Sequence, residues 1–191
     1  VGDIDAATLA PLLDRVFGAL PAKAELLPVK PLPSHAPSRR HIEWDIPQNI
    51  VRMVARIDHL SPSEMRANYL LSEVLNADFV GRLFMEVREK RGLVYGIGVS
   101  VDNSDADPTY SVGFSSATAT VSEAIAVTMK ELERIVAEGP TSEEFARVQA
   151  ATPGAVLLSL DTNDALVGSV LALQINKRPI TALETLLADY E

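Results

Sequence analysis

The sequence offers few residues for metal or nucleophile chemistry. Its three histidines are His35, His41 and His59, and it contains no cysteine. Hydrolytic zinc sites use two histidines four residues apart with a glutamate between them, as in H-E-x-x-H or H-x-x-E-H, and these histidines lack that spacing. No G-x-S-x-G motif is present, and the glycines within 92–98 do not open a helix as a phosphate loop would. We therefore expect no catalytic residue, no metal site and no cofactor in this chain alone.

One segment carries a long, ordered pattern. Residues 82–95 read Arg-Leu-Phe-Met-Glu-Val-Arg-Glu-Lys-Arg-Gly-Leu-Val-Tyr. The run resembles the pattern S-R-L-F-x-x-x-R-E-K-R-G-L-x-Y of the second-type domain of the pitrilysin/insulinase metallopeptidases, the inverzincins, which include the mitochondrial processing peptidases. The opening at residues 1–21 and the stretch 139–144 agree more loosely. Gly81 departs from the family's serine, which leaves the local loop geometry open.

The resemblance implies a role for Arg88 and Tyr95. Family members pair a zinc-binding domain, which carries H-x-x-E-H, with a homologous α+β domain that has no zinc ligands and supplies an arginine and a tyrosine seven residues apart. By this resemblance, Arg88 and Tyr95 bind the substrate backbone near the scissile bond and stabilise the oxyanion, a role that suits two hydrogen-bond donors. The residues alone also allow a surface arginine and a core tyrosine. Arg82 and Arg91 are interpreted as surface or ion-pair residues.

The same resemblance implies partners and a cofactor outside this chain. Zinc would lie in the parent protein or a partner subunit, on a zinc-binding domain of the same chain or of a homologous subunit. The substrate would be an extended or unfolded peptide, bound by strand addition to a sheet edge. Two alternatives remain, in which the parent is a zinc-less partner subunit, or a scaffold protein with the same fold and no proteolytic role of its own.

Composition limits the other classes. The 17 basic and 26 acidic residues give a net charge of −9, which argues against a nucleic-acid partner. The longest nearly apolar stretch, residues 166–175, is far shorter than the ~20 residues of a membrane span, so no membrane partner is expected. We predict one domain over residues 1–191 with a proline-rich connector at 21–38. Because the chain starts at Val1, we interpret it as a fragment of a longer protein. The sequence does not determine its compartment, for which the bacterial cytoplasm and periplasm are the two candidates.

Hydrophobic periodicity predicts an α+β fold, with a mainly antiparallel sheet and helices layered on one face. Helices are predicted at 6–20, 62–75, 78–90, 121–138, from 142 with an interruption at Pro153-Gly154, at 162–176 and from about 180. Strands are predicted at 41–46, 49–58, 93–102 and 109–117. Capping boxes at Ser61–Glu64, Thr120–Glu123 and Thr141–Glu144 mark three of the helix starts.

The last two predicted strands differ in their two faces. One face is apolar, and the other carries only glycine and serine: Gly96, Gly98, Ser100, Ser111, Gly113 and Ser115. A face this bare fits either close packing or simple solvation, or a smooth wall against which an extended peptide lies.

Overall fold

The computed structural model describes residues 2–21, 23, 27, 30, 33, 36–42, 45–77, 79–104, 106–186 and 188–190. The chain divides into two compact units, residues 29–150 and residues 1–28 with 151–191. The single domain expected over residues 1–191 stays a prediction.

A three-stranded antiparallel sheet lies at the centre of the unit 29–150. Its strands are β1 (Gln48–Arg56), β2 (Ile97–Asp102) and β3 (Thr109–Ala117), in the order β1-β3-β2. The third predicted strand thus begins at Ile97 instead of residue 93. Of the strand predicted at 41–46, residues 43 and 44 lie outside the described part, and the other four residues form no strand.

Helices cover one face of this sheet and enclose the core. They are α2 (Pro62–Asn76), a short π-helix (Phe84–Glu89), α3 (Val121–Glu138) and the first part of α4 (Ser142–Leu158). The buried core residues come from both strands and helices: Val74, Leu75, Leu83, Val87, Leu93, Val94, Val99, Val112, Phe114, Ala124, Ile135 and Val148. The predicted α+β class is confirmed.

The helix predicted at 78–90 is shorter than expected because of a tight turn in front of it. Phe79 has a left-handed φ of 64°, and the Gly81 N–H donates to the Ala77 carbonyl over 2.6 Å. A Cβ atom at Gly81 would lie 2.6–2.7 Å from backbone atoms of residues 75–77. Real Cβ atoms do not come that close, so the chain needs glycine where the related pattern has serine.

Two of the three predicted capping boxes are confirmed. The Ser61 hydroxyl accepts from the Glu64 N–H while the Glu64 carboxylate accepts from the Ser61 N–H, and Thr141 and Glu144 do the same. The box predicted at Thr120 is wrong, because its hydroxyl is used elsewhere: it lies 2.9 Å from the Ser116 hydroxyl and donates to the Ala117 carbonyl.

The other unit is helical. It contains α1 (Ala6–Phe17), the end of α4, α5 (Asn163–Ile175) and 3₁₀ turns at Ile180–Leu183 and Ala188–Tyr190. The interruption predicted at Pro153 is wrong, since α4 runs on to Leu158. Thr152 and Val156 on either side are buried, and this packing offsets the donor that proline lacks.

Candidate functional site

The π-helix places the predicted arginine at the surface of the unit 29–150. Phe84 and Val87 are buried in the core and fix the orientation of the turn, which leaves Arg88 partly exposed. The wider i→i+5 turn is a feature that often marks functional sites. Sequence periodicity predicts a helix here but not its π form.

A buried ion pair holds the start of this segment. The Arg82 Nε donates to the Glu144 Oε1 over 2.9 Å, and its Nη2 donates to Oε2 over 2.5 Å and to the Gly139 carbonyl over 3.2 Å. The Arg82 side chain is only 5% exposed. The hydrogen bonds from Arg82 lower the pKa of Glu144 to about 2. Arg82 is therefore the ion-pair residue expected, and the pair joins the segment to the start of α4.

A second carboxylate holds the end of the segment. Glu86 accepts from the ammonium group of Lys90 and, at 2.8 Å, from Arg91 Nη1. The hydrogen bond from Lys90 is the main cause of the lowered pKa of Glu86. Arg91 is thus also an ion-pair residue, as predicted.

Arg88 lies between two aromatic rings. Its guanidinium carbon is 4.7 Å from the ring centre of Phe84 and 4.9 Å from that of Tyr95. The carboxylate beside it, that of Glu89, is 3.7 Å from Nε, longer than a direct hydrogen bond. The structure therefore brings together the two predicted residues through cation–π contacts. Phe84 is the member of this group that sequence reasoning missed, although its position four residues before Arg88 is a signal for a same-face contact.

Tyr95 is not a core residue. Its side chain is 83% exposed, and its hydroxyl has no hydrogen-bond partner among the described residues. The alternative interpretation of Tyr95 as a core tyrosine is therefore wrong. Neither the Arg88 guanidinium nor the Tyr95 hydroxyl donates a hydrogen bond to another described residue.

A shallow groove of about 590 Å³ begins at Tyr95 and crosses all three strands. Its floor is the glycine and serine face that the sequence predicts. The strand register pairs Gly98 with Gly113 and Ser100 with Ser111, so small residues face each other across the sheet. The groove is lined by Ile50, Val51, Arg52, Tyr95, Gly96, Gly98, Val99, Ser100, Ser111, Gly113, Phe114 and Ser115.

The outer edge of β2 is closed at its centre. The Asn76 side chain donates to the Val99 carbonyl over 2.8 Å and accepts from the Val99 N–H over 2.6 Å. A peptide strand therefore cannot pair with β2 at Val99 unless Asn76 moves away. Strand addition, which the sequence predicts without specifying an edge, is blocked at this point of the sheet.

Within the described residues, no group of three or more histidine, cysteine, aspartate or glutamate side chains could hold a metal ion. His35 lies outside the described part of the chain. Among the helices that the structure describes, none is by itself long and apolar enough to cross a membrane; only α4 and α5, bent where they meet, reach that length and apolarity as a pair.

Comparisons with known proteins agree with this fold. A family model described as the peptidase M16 inactive domain matches residues 1–152. An uncharacterized zinc protease from Streptomyces coelicolor is 29% identical over 102 residues, which cover 53% of this chain and 22% of that protein. The chain thus spans about a fifth of this curated relative.

Two solved structures share the fold over the whole chain. The peptidase M16 inactive domain from Pseudomonas fluorescens has a TM-score of 0.82 and 24% identity, and the match covers 46% of that chain. A protease from Helicobacter pylori has a TM-score of 0.76 and 16% identity, with 47% of that chain covered. The match to the family model over residues 1–152 confirms the predicted family, and this chain belongs to the peptidase M16 inactive domain family.

Proposed function

We propose that this non-catalytic domain binds the peptide substrate of a zinc-dependent metalloendopeptidase, and that Arg88 and Tyr95 contact the substrate beside the scissile bond. The observation that carries the proposal is the position of Arg88 within cation–π distance of both Phe84 and Tyr95, where Tyr95 also lines an open groove. Two donor side chains meet there, and neither has a hydrogen-bond partner among the described residues.

The ring contacts give Arg88 the geometry that oxyanion binding needs. A guanidinium held between two rings keeps its plane while its N–H groups stay available. A donor that is already in position stabilises a developing negative charge more than one that must first reorganise. Each such donor lowers the activation barrier by up to a few kcal/mol. The free Tyr95 hydroxyl supplies a second donor.

The glycines of the groove support a role in binding. A Cβ atom at Gly96 would meet nothing within 4 Å, and at Gly98 or Gly113 nothing nearer than 3.6 Å. None of the three has a left-handed φ. Neither packing nor backbone conformation therefore requires glycine, although glycine weakens a strand by roughly 0.5–1 kcal/mol. Their small size keeps the groove open for another backbone.

The zinc of this peptidase would be held elsewhere. The described residues of this chain offer no donor set for it, so the metal would belong to a homologous zinc-binding domain of the parent chain or of a partner subunit. The chain covers less than half of each similar solved structure reported above, which leaves room for such a domain. When bound, the metal supplies the activated water for hydrolysis, and this domain supplies substrate contacts.

Peptide hydrolysis by the zinc-loaded parent protein, with its partner subunit where it has one, tests the proposal. Arg88→Ala and Tyr95→Phe should each lower kcat/KM by about 10²-fold, and Arg88→Lys should restore only part of the loss because lysine lacks the planar fork. Arg134→Ala is the matched control, since Arg134 is an exposed arginine of α3 paired with Glu138.

Unchanged kcat/KM in both Arg88→Ala and Tyr95→Phe, with zinc content and folding preserved, would contradict the proposal. That result favours the scaffold alternative, in which the fold is kept without a role for these side chains. A third outcome is that the parent protein binds no zinc and is inactive alone, yet restores peptide hydrolysis when it is mixed with a zinc-binding partner subunit. In that case the same substrate contacts belong to a zinc-less subunit.

A further inference from the structure

The groove contains one charged side chain that the proposed role of Arg88 and Tyr95 does not use. Of its twelve lining residues, only Arg52 carries a charge. Arg52 lies at the middle of β1 and is exposed. It forms no hydrogen bond or ion pair with any other described residue.

The strand register leaves the guanidinium of Arg52 uncovered. Arg52 pairs with Gly113 on β3, and Gly113 pairs with Gly98 on β2. No side chain therefore stands between Arg52 and the far strand in this row of the sheet. Cross-strand neighbours normally contribute to the stability of a sheet, and Arg52 has none on this side, so its contribution to folding through such contacts is small.

We propose that Arg52 selects an acidic side chain in the peptide that occupies this groove. The inference rests on the proposed function and deepens it by naming a substrate preference. Charge complementarity identifies the occupant: a peptide carboxylate would meet the one cation of an otherwise uncharged floor.

The position of the acidic residue follows from the sheet geometry. Arg52 on β1 and Tyr95 beside β2 are separated by two interstrand spacings, about 10 Å. An extended peptide advances about 3.3 Å per residue. Tyr95 also lies further along the strand direction than Arg52, because it precedes the first residue of β2. The acidic side chain thus lies at least three residues from the peptide residue at Tyr95. An exposed ion pair of this kind changes affinity by about two- to five-fold.

Binding of a peptide series to the parent protein, stripped of zinc to prevent hydrolysis and with its partner subunit where it has one, tests this inference. Fluorescence anisotropy would be measured with labelled, otherwise uncharged nine-residue peptides in which one aspartate is moved through every position. The variants are Arg52→Gln, Arg52→Glu and the control Lys130→Gln, an exposed lysine of α3 that does not line the groove. A second series carries lysine in place of aspartate.

We expect one aspartate position to bind about two- to five-fold more tightly than the uncharged peptide. Arg52→Gln should abolish the preference, and Arg52→Glu should transfer it to lysine at that same position, while Lys130→Gln leaves it intact. A flat aspartate series, or a preference that survives Arg52→Glu, overturns the inference.

The two proposals can fail separately. If Arg88→Ala and Tyr95→Phe weaken all peptides while the aspartate series is flat, the substrate-binding role stands and only the acidic preference is wrong. If no peptide binds to the wild-type parent protein at any concentration tested, both are overturned.

Discussion

The Arg82–Glu144 pair gives the sharpest test of how the fold holds its site segment. Glu144→Gln removes the negative charge but keeps the size of the side chain and one hydrogen-bond acceptor. Arg82 then keeps its charge at 5% exposure without a counter-ion. Breaking a buried pair by neutralising one partner costs about 3–5 kcal/mol.

The pKa of Glu144 gives a second value for the contribution of this ion pair to the free energy of unfolding. It falls from the ordinary 4.5 to about 2, a difference of 2.5, and at about 1.4 kcal/mol per unit this corresponds to about 3 kcal/mol. Because the pKa is lowered in the folded state, the stabilisation is complete above about pH 4.5. It is lost as the pH falls through 2, because below that pH the carboxylate is protonated in both states.

Urea unfolding followed by circular dichroism measures this effect. At pH 7 the free energy of unfolding should fall by about 3 kcal/mol in Glu144→Gln, and the gap to wild type should shrink by more than half at pH 3. In the double variant Arg82→Met with Glu144→Gln, the loss should be smaller than in Glu144→Gln alone, because no unpaired charge remains. A gap below about 0.5 kcal/mol at pH 7, or one that does not change with pH, would refute the reasoning.

Two further substitutions test the turn and the sheet edge. Gly81→Ser, which introduces the residue of the related pattern, should lower the free energy of unfolding by about 1–3 kcal/mol because its Cβ would lie 2.6 Å from backbone atoms. Urea unfolding measures this loss, with Gly154→Ser as the control because a Cβ there meets nothing within 4 Å. Equal unfolding midpoints for the two variants would contradict the steric explanation. Asn76→Ala should cost about 1–3 kcal/mol and promote self-association, because it leaves the Val99 N–H and carbonyl unpaired at an open strand edge. Unfolding and light scattering measure the two effects, and a monomeric variant of wild-type stability would show that Asn76 does not protect this edge.

The sequence predicts elements well where one local signal decides them. Apolar alternation and the capping box at Ser61 give β1 and α2 to within two residues. The prediction fails where another contact competes with the local signal. The Thr120 hydroxyl is taken by residues at the end of β3, and Pro153 is tolerated inside α4.

The sequence likewise predicts some features of the candidate site and not others. The spacing of Arg88 and Tyr95 predicts that they belong together, because the related pattern carries both. The related pattern does not single out Phe84 as the second ring, although its position four residues before Arg88 is compatible with a contact on the same helix face. The exposure of Tyr95 also depends on where β2 begins: β2 starts two residues later than Tyr95, so this side chain is outside the paired ladder.

Arg82 and Arg88 show how one short segment gives the same residue type two different roles. Arg82 is buried and neutralised by Glu144, which fixes the segment. Arg88 is not neutralised in this way, because the carboxylate beside it, that of Glu89, lies 3.7 Å from Nε, longer than a direct hydrogen bond. The aromatic rings instead hold the guanidinium of Arg88 without taking its hydrogen-bond donors.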